Sequence, residues 1–310
     1  MENNRIYCGD CGKVMSQFPE KSVDLVYADP PFFSNRKYEV IWGDGYEVRA
    51  FEDRWKGGIE NYTAWMEPKV RECYRVLKDS GSMYLHCDWH ANGHLRVLMD
   101  HVFGEGNIVN EIVWQRTVNP KGSQFEERKF GQATDTILFY AKSSDYVFNL
   151  KAVKRKLTSE ELHEKYDRVD EKGRYYPGPV ICGPSMGPRP NLVYEYKSFT
   201  PGPSGWRLSR EKLVQLDIVG NLGWSRNGKP FRKLRPQDDE GDPMYNLWTD
   251  IPRVSSASNE RLGYPTQKPV GLLDRIVRAS SNPMDIVLDP FCGCGTAIAV
   301  AQKPEGDGWE

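Results

Sequence analysis

Two short segments constrain this chain more than anything else in it. Val23-Asp24-Leu25-Val26-Tyr27-Ala28 runs directly into Asp29-Pro30-Pro31-Phe32, and Asp285-Ile286-Val287-Leu288-Asp289 runs into Pro290-Phe291-Cys292-Gly293-Cys294-Gly295-Thr296. Each reads as a buried apolar strand that ends in a polar, turn-forming tip. In open α/β sheets, ligands sit beyond the carboxyl ends of the strands. The first tip offers a carboxylate beside a rigid Pro-Pro and an aromatic ring. The second, some 260 residues later, offers glycines that let backbone approach a ligand closely.

Between the tips the pattern alternates. Ahead of the first tip an amphipathic segment spans Val14 to Phe18; after it, residues 33–58 read as loop punctuated by Gly43, Gly45, Gly57 and Gly58. From Ile59 to Leu77, apolar Trp65, Met66, Val70, Cys73, Tyr74 and Leu77 fall on one helical face. Residues 82–85 read as a strand, Asn92 to Phe103 as a helix stopped by Gly104, and 111–114 and 135–140 as further strands. Strands alternating with helices predict a parallel, doubly wound α/β sheet. Arg116 to Gln132 reads as a mobile loop. From Lys151 to Arg261 the pattern breaks into Pro and Gly clusters, with short helices only at 159–166 and 209–216, which predicts an irregular insertion rather than a second regular core. A helix from Val270 to Ala279 resumes the regular pattern.

Charge separates the same regions. The chain of 310 residues has a net charge of -1, yet Ile112 to Pro236 holds 23 of its 42 Lys and Arg against 13 of its 43 Asp and Glu. That leaves 19 basic and 30 acidic residues elsewhere. A basic segment on an acidic body is the electrostatic footprint of a nucleic-acid contact, and also of a solvated lysine-rich surface. Trp114, Phe125, Phe130, Tyr175, Tyr176, Trp206, Trp224 and Phe231 interleave with that basic charge, most of them expected to pack and a few to meet bases. With 39% hydrophobic residues, a mean hydropathy of -0.65 and no apolar run near spanning length, the composition is that of a soluble, cytoplasmic chain. Seven cysteines without dense spacing read as reduced thiols.

A carboxylate-Pro-Pro-Phe tip followed late in the chain by Asp289-Pro290-Phe291-x-Gly293-x-Gly295-Thr296 resembles the beta-class site-specific DNA amino-methyltransferases of the adenine-specific type, which use S-adenosylmethionine. The resemblance implies a Rossmann-like, doubly wound methyltransferase sheet with a circularly permuted motif order and an inserted target-recognition region. By it, residues 1–115 would form the catalytic half, 116–261 would hold core strand 135–140 plus the basic insertion, and 262–310 the cofactor half. Asp29 and the Pro30 carbonyl would accept hydrogen bonds from a flipped adenine, with Pro31 fixing the turn and Phe32 stacking on the base. Asp289, Pro290, Phe291, Gly293, Gly295 and Thr296 would form the cofactor loop. Thr266, Gln267 and Lys268 would supply further cofactor contacts, with Thr266 and Lys268 near the methionine carboxylate. Gly9-Asp10 resembles the acidic contact to the cofactor's adenine amine, although Asp10 alone reads equally as a helix cap. First-position Asp favours adenine over cytosine-N4.

Three other constellations are set aside. Cys8-x-x-Cys11 lacks a second pair at metal spacing, Cys292 and Cys294 lie inside the glycine loop, and His86, His90 and His94 straddle a strand-to-helix transition. No metal is assigned. In this family the cofactor helix leads into another strand, but here Lys303-Pro304-Glu305-Gly306-Asp307-Gly308-Trp309-Glu310 follows, which does not read as one. The expectation is a missing C-terminal strand and weakened cofactor binding. The partner implied is double-stranded DNA with no membrane, in a prokaryotic or phage setting near the nucleoid; a cognate restriction endonuclease and a homodimer stay open. Cytosine-N4 methylation, methylation of RNA or a protein glutamine, and an inactive DNA-binding remnant are the other readings.

Overall fold

The computed structural model describes residues 4–34, 36–41, 47–53, 55–119, 128 and 130–302, with backbone alone for 36–41 and 47–52. Its contacts divide the chain into two compact units, Met1–Val153 with Met244–Glu310, and Lys154–Pro243.

The larger unit opens with α1 (Cys11–Met15), whose first turn is capped by the Asp10 carboxylate accepting from the Lys13 N–H at 3.1 Å. β1 (Val23–Ala28) is buried at all six positions, the signature of a strand covered on both faces. A two-stranded antiparallel ribbon follows, β2 (Arg36–Ile41) and β3 (Glu47–Asp53), where the sequence predicted loop. Gly43 and Gly45 lie outside the described residues. Next come α2 (Gly58–Val76), β4 (Leu77–Cys87), α3 (Asn92–Phe103), β5 (Ile108–Gln115) and β6 (Thr134–Ala141). Gly104 ends α3 as predicted.

Within the smaller unit, α4 (Ser159–Lys165) carries a capping box between Thr158 and Glu161. β7 (Arg168–Asp170), β8 (Gly173–Pro179), α5 (Arg210–Ile218), β9 (Leu222–Trp224) and β10 (Pro230–Leu234) follow, and the strands form an antiparallel sheet in the order β7-β8-β10-β9. Val180, Trp206, Leu213 and Leu222 make a small core, with the Trp206 ring stacked on Tyr194 and its indole N–H donating to the Tyr194 carbonyl at 2.8 Å. The unit is more ordered than its Pro and Gly clusters suggested: Pro177, Gly178 and Pro179 lie within β8, opposite Lys233, Arg232 and Phe231 of β10. Trp206 is core; Tyr176 remains exposed. Asp170 accepts from Arg235 and Lys233, and those two cations hold its carboxyl well below the usual range.

The chain returns to the larger unit with β11 (Leu247–Trp248), α6 (Val270–Ser280), β12 (Val287–Leu288) and α7 (Thr296–Ala301). Six strands form the main sheet in the order β11-β5-β6-β4-β1-β12. The sheet is mixed, not parallel throughout: β6 runs antiparallel to both β4 and β5. The α3 crossover makes β4 and β5 parallel but leaves a gap between them. No helix among the described residues separates β5 from β6, so β6 folds back into that gap, as a chain without a crossover must.

Side-chain parity decides which helices cover which face. Val26 and Ala28 join Met83 and Leu85 against α2 and α3, whereas Leu25, Tyr27 and Tyr84 face Leu272, Leu273 and Ile276 of α6 and Ala297 and Val300 of α7; Val23 joins the first group because the register shifts between it and Leu25. Each fully buried Leu contributes about 2 kcal/mol. Asp24 breaks the apolar run at one edge, where it pairs with Lys78 at 2.7 Å and accepts the Ile286 N–H at 2.9 Å. That bond fastens the approach to β12 onto β1. The expected absence of a C-terminal strand falls on residues 303–310, which lie outside the described residues, as do 120–127 and 129 of the predicted loop. No helix among the described residues is long and apolar enough to cross a membrane.

Candidate active site

β1 and β12 are parallel neighbours, with Leu25 opposite Val287 and Val26 opposite Leu288. Their carboxyl ends therefore emerge on the same edge of the sheet, and the two polar tips meet. Together they line a cavity of about 370 Å³. Asp29, Pro30, Pro31 and Phe32 contribute from the first tip; Asp289, Phe291, Gly293 and Thr296 come from the second, and Thr266, Gln267 and Lys268 from the segment before α6.

The first tip is held from below. Phe33 adopts a left-handed φ of 61°, costly for a residue with a side chain. The fully buried Asp53 stabilises that turn by accepting from the Phe33 N–H at 2.9 Å, the Ser34 N–H at 2.6 Å and the Trp55 indole at 2.9 Å. Tyr62 donates to the Pro31 carbonyl at 2.7 Å. Asp29 is thus presented by a loop fixed at both of its flanks. One of its oxygens, Oδ2, accepts from Lys268 Nζ at 2.5 Å, and the same ammonium lies 4.9 Å from the centre of the Phe32 ring. Its other oxygen, Oδ1, is buried and has no hydrogen-bond partner among the described residues.

At the second tip, Asp289 Oδ1 accepts the Phe291 N–H at 2.9 Å. Burial pushes the Asp289 carboxyl up to about 7; Asp29 adds to the rise, while the Phe291 N–H and Lys268 oppose it. Gly293 and Gly295 both have left-handed φ, 51° and 85°. At Gly293 a Cβ would come within 3.2 Å of the Tyr264 ring, so the turn needs glycine on conformational and steric grounds.

Some expected residues sit differently. Asp10 does not line the cavity and acts as the α1 cap, 3.8 Å from Lys69. Pro290 and Gly295 shape the turn without lining the cavity. Gln267 lines it, but its amide is engaged at both ends, donating to the Glu260 carbonyl at 2.7 Å and accepting the Leu262 N–H at 2.8 Å. Thr266 has a left-handed φ of 65° and turns its carbonyl toward Lys268, 3.4 Å away.

Sequence reasoning missed Asp53, Tyr264 and Tyr27, all in the cavity wall, and the buried His86 and Asp135 behind it. Tyr27 was legible in principle, since it stands two residues before Asp29 on the same strand. Asp53 carried no signal, because its partners come from a turn 19 and 20 residues earlier. Among the described residues, no group of three or more His, Cys, Asp and Glu is placed to hold a metal ion.

A family model described as DNA methylase matches residues 23–306. The chain belongs to the DNA methylase family. Among curated members of similar sequence, it is 31% identical over 288 residues to the Type II methyltransferase M.EcaI of Enterobacter cloacae, covering 91% of this chain and 60% of that protein. It is 27% identical over 318 residues to the StyLTI Mod subunit of a Type III restriction-modification enzyme of Salmonella typhimurium, covering 93% and 47%. The chain thus spans only part of the length of these DNA methylases. A solved structure described as the PvuII DNA methyltransferase, cytosine-N4-specific, aligns with a TM-score of 0.52 at 16% identity over 96% of this chain and 77% of that one, a likeness of fold.

Proposed function

We propose that this DNA methylase transfers a methyl group from S-adenosylmethionine to the exocyclic N6 amine of an adenine flipped out of DNA. The observation that carries the reading is the convergence of Asp29 and the Phe291–Thr296 loop on one cavity. An exocyclic amine is a weak nucleophile because its lone pair is delocalised into the ring. An acceptor on its hydrogens draws the nitrogen toward tetrahedral geometry, and Asp29 Oδ1 is a buried acceptor that no donor among the described residues engages. Phe32 offers the face on which the base stacks. S-adenosylmethionine, when bound, supplies the activated methyl. The left-handed Gly293 brings backbone close to that ligand, Lys268 meets its carboxylate, and Asp289 lies on the same wall.

Adenine is favoured over cytosine by the acid in first position of the Asp29 tip. The Lys154–Pro243 unit, rich in Lys and Arg, is the part we assign to recognition of duplex DNA, in a restriction-modification setting. The test is nucleoside mass spectrometry of unmethylated mixed-sequence DNA incubated with the protein and S-adenosylmethionine, alongside Asp29→Ala. N6-methyladenine from the wild type, none from the variant, and nearly unchanged calorimetric affinity for the cofactor are expected. N4-methylcytosine would move the substrate within the family. Turnover by Asp29→Ala would refute the assigned chemistry.

A further inference from the structure

Behind the free oxygen of Asp29 lies a second buried carboxylate, with an imidazole between the two. His86, on β4, is fully buried. Its Nδ1 lies 3.9 Å from Asp29 Oδ1, and its Nε2 lies 3.5 Å from Asp135 Oδ2 on β6. Neither contact is a formed hydrogen bond, and among the described residues both Asp29 Oδ1 and His86 Nε2 lack a hydrogen-bond partner. Arg116, just past β5, holds the far side of Asp135 at 3.1 Å. The ring is fixed by packing, 5.4 Å from Phe32 and 5.6 Å from Trp114 between centres, and by the Tyr27 hydroxyl 2.9 Å from Nδ1. The proposed methyl transfer uses Asp29 but not His86, Asp135 or Arg116.

Methylation of a neutral amine must release one proton. As the new N–C bond forms, the S–C bond breaks and its electron pair stays on sulfur. One N–H bond then breaks, leaving its electrons on nitrogen and its proton to be placed. We propose that His86 takes this proton, handed on by Asp29 Oδ1 to Nδ1, while Asp135 faces the imidazolium so formed from the Nε2 side. This inference rests on the assignment of Asp29 above and adds the proton's destination to it.

The surroundings suit the role. Before transfer, Nε2–H faces Asp135 and Nδ1 accepts from Tyr27. Burial raises the Tyr27 phenol far above the usual range, with Asp29, Asp289 and Asp135 adding to the rise, so Tyr27 keeps its proton and remains a neutral donor. After transfer the hydroxyl rotates and accepts. Burial alone would raise the Asp135 carboxyl, but His86, Arg116 and Lys268 outweigh it and hold the group ionised below the ordinary carboxylate range. Of the charged groups nearby, Asp29 and Asp135 favour an imidazolium; Arg116 and Lys268 oppose it, and each of those is paired with one of the two carboxylates.

The protein has five histidines, so the His86 ring signals can be followed by NMR in the apo protein. Removing a facing carboxylate should weaken the imidazolium: in Asp135→Asn and in Asp29→Asn the His86 signals should titrate about one pH unit or more lower than in the wild type. In the methylation assay, His86→Gln should lower kcat roughly 100-fold with cofactor affinity unchanged. Asp135→Asn should move the acidic limb of the kcat profile to lower pH by the same interval as the NMR shift. Should His86→Gln fail to fold, Asp135→Asn decides the matter. An unmoved acidic limb, or an unmoved His86 titration, would overturn the relay. If Asp29→Ala is inactive while His86→Gln retains full kcat, the relay fails and the methylase reading stands. If Asp29→Ala turns over, that reading itself fails.

Discussion

Replacing Asp289 with Asn should stabilise the protein at neutral pH, and by an amount that depends on pH in a specified way. In the folded state its carboxyl titrates at about 7, raised by burial from the ordinary value of 3.8. The unfolded chain returns it to the ordinary value. Protons are therefore bound more tightly by the folded state, and stability must fall as pH rises across this window. Below about pH 4 the acid is neutral in both states, and wild type and Asp289→Asn should be equally stable. Between about pH 4 and 7 only the unfolded state ionises, and the wild type loses ground. Above 7 the deficit is constant. A difference of about three units corresponds to a ceiling of about 4 kcal/mol at 1.36 kcal/mol per unit. Because the residue borders an open cavity, water reduces this, and about 2 kcal/mol is the expected gain for the variant at pH 8. Asn can still accept the Phe291 N–H, so the turn is preserved. Urea denaturation of the ligand-free protein and the variant at pH 4, 6 and 8 measures the difference directly. A stability gap that does not change between pH 4 and 8, or a variant less stable at pH 8, would refute the reasoning.

Asp53→Ala should cost about 3 kcal/mol, because it leaves the buried N–H groups of Phe33 and Trp55 without their acceptor; chemical denaturation would read it, and turnover should fall as the Asp29 loop loses its anchor. Trp206→Ala should cost about 3–5 kcal/mol of the stability of the Lys154–Pro243 unit, seen as lost hydrogen-exchange protection at β9 and β10. Gly293→Ala should weaken cofactor binding measured by calorimetry, since it adds conformational strain at φ 51° and a close contact with Tyr264.

The two tips were legible because each compresses its information into a dozen contiguous residues: an apolar run long enough for one strand, then turn chemistry. Five strands of the sheet were legible for the same reason; β11, inside the stretch read as an irregular insertion, was not. Strand direction was not legible either, because whether β6 runs with or against β4 depends on the path of residues 116–133, which carry no periodicity. The β2–β3 ribbon was hidden by its glycines, and the Trp206 core by the spacing of its members from Val180 to Leu222. In the site, Asp29 to Phe32, Asp289, Phe291, Gly293 and Thr296 were found, whereas Tyr27, Cys292 and Cys294 of the same tips line the cavity unannounced, and Asp53, His86 and Asp135 were not seen. The role of Asp53 exists through a turn 19 and 20 residues earlier, and those of His86 and Asp135 through partners on other strands. His86 registers opposite Ile137, and that pairing brings Asp135 within reach of its ring.

The pairing of β1 with β12 has a consequence for biosynthesis. β1 gains one neighbour early, from β4, but the edge that receives β12 waits for about 260 more residues. At translation speeds of about 5–20 residues per second this interval is on the order of tens of seconds. Throughout it the nascent chain carries an unpaired strand edge whose side chains, Asp24 apart, are apolar, the kind of surface that templates association with other chains. A translation pause between residues 150 and 280 lengthens that exposure, and cells making this protein quickly at low chaperone supply will lose it to aggregates before the cavity has ever formed.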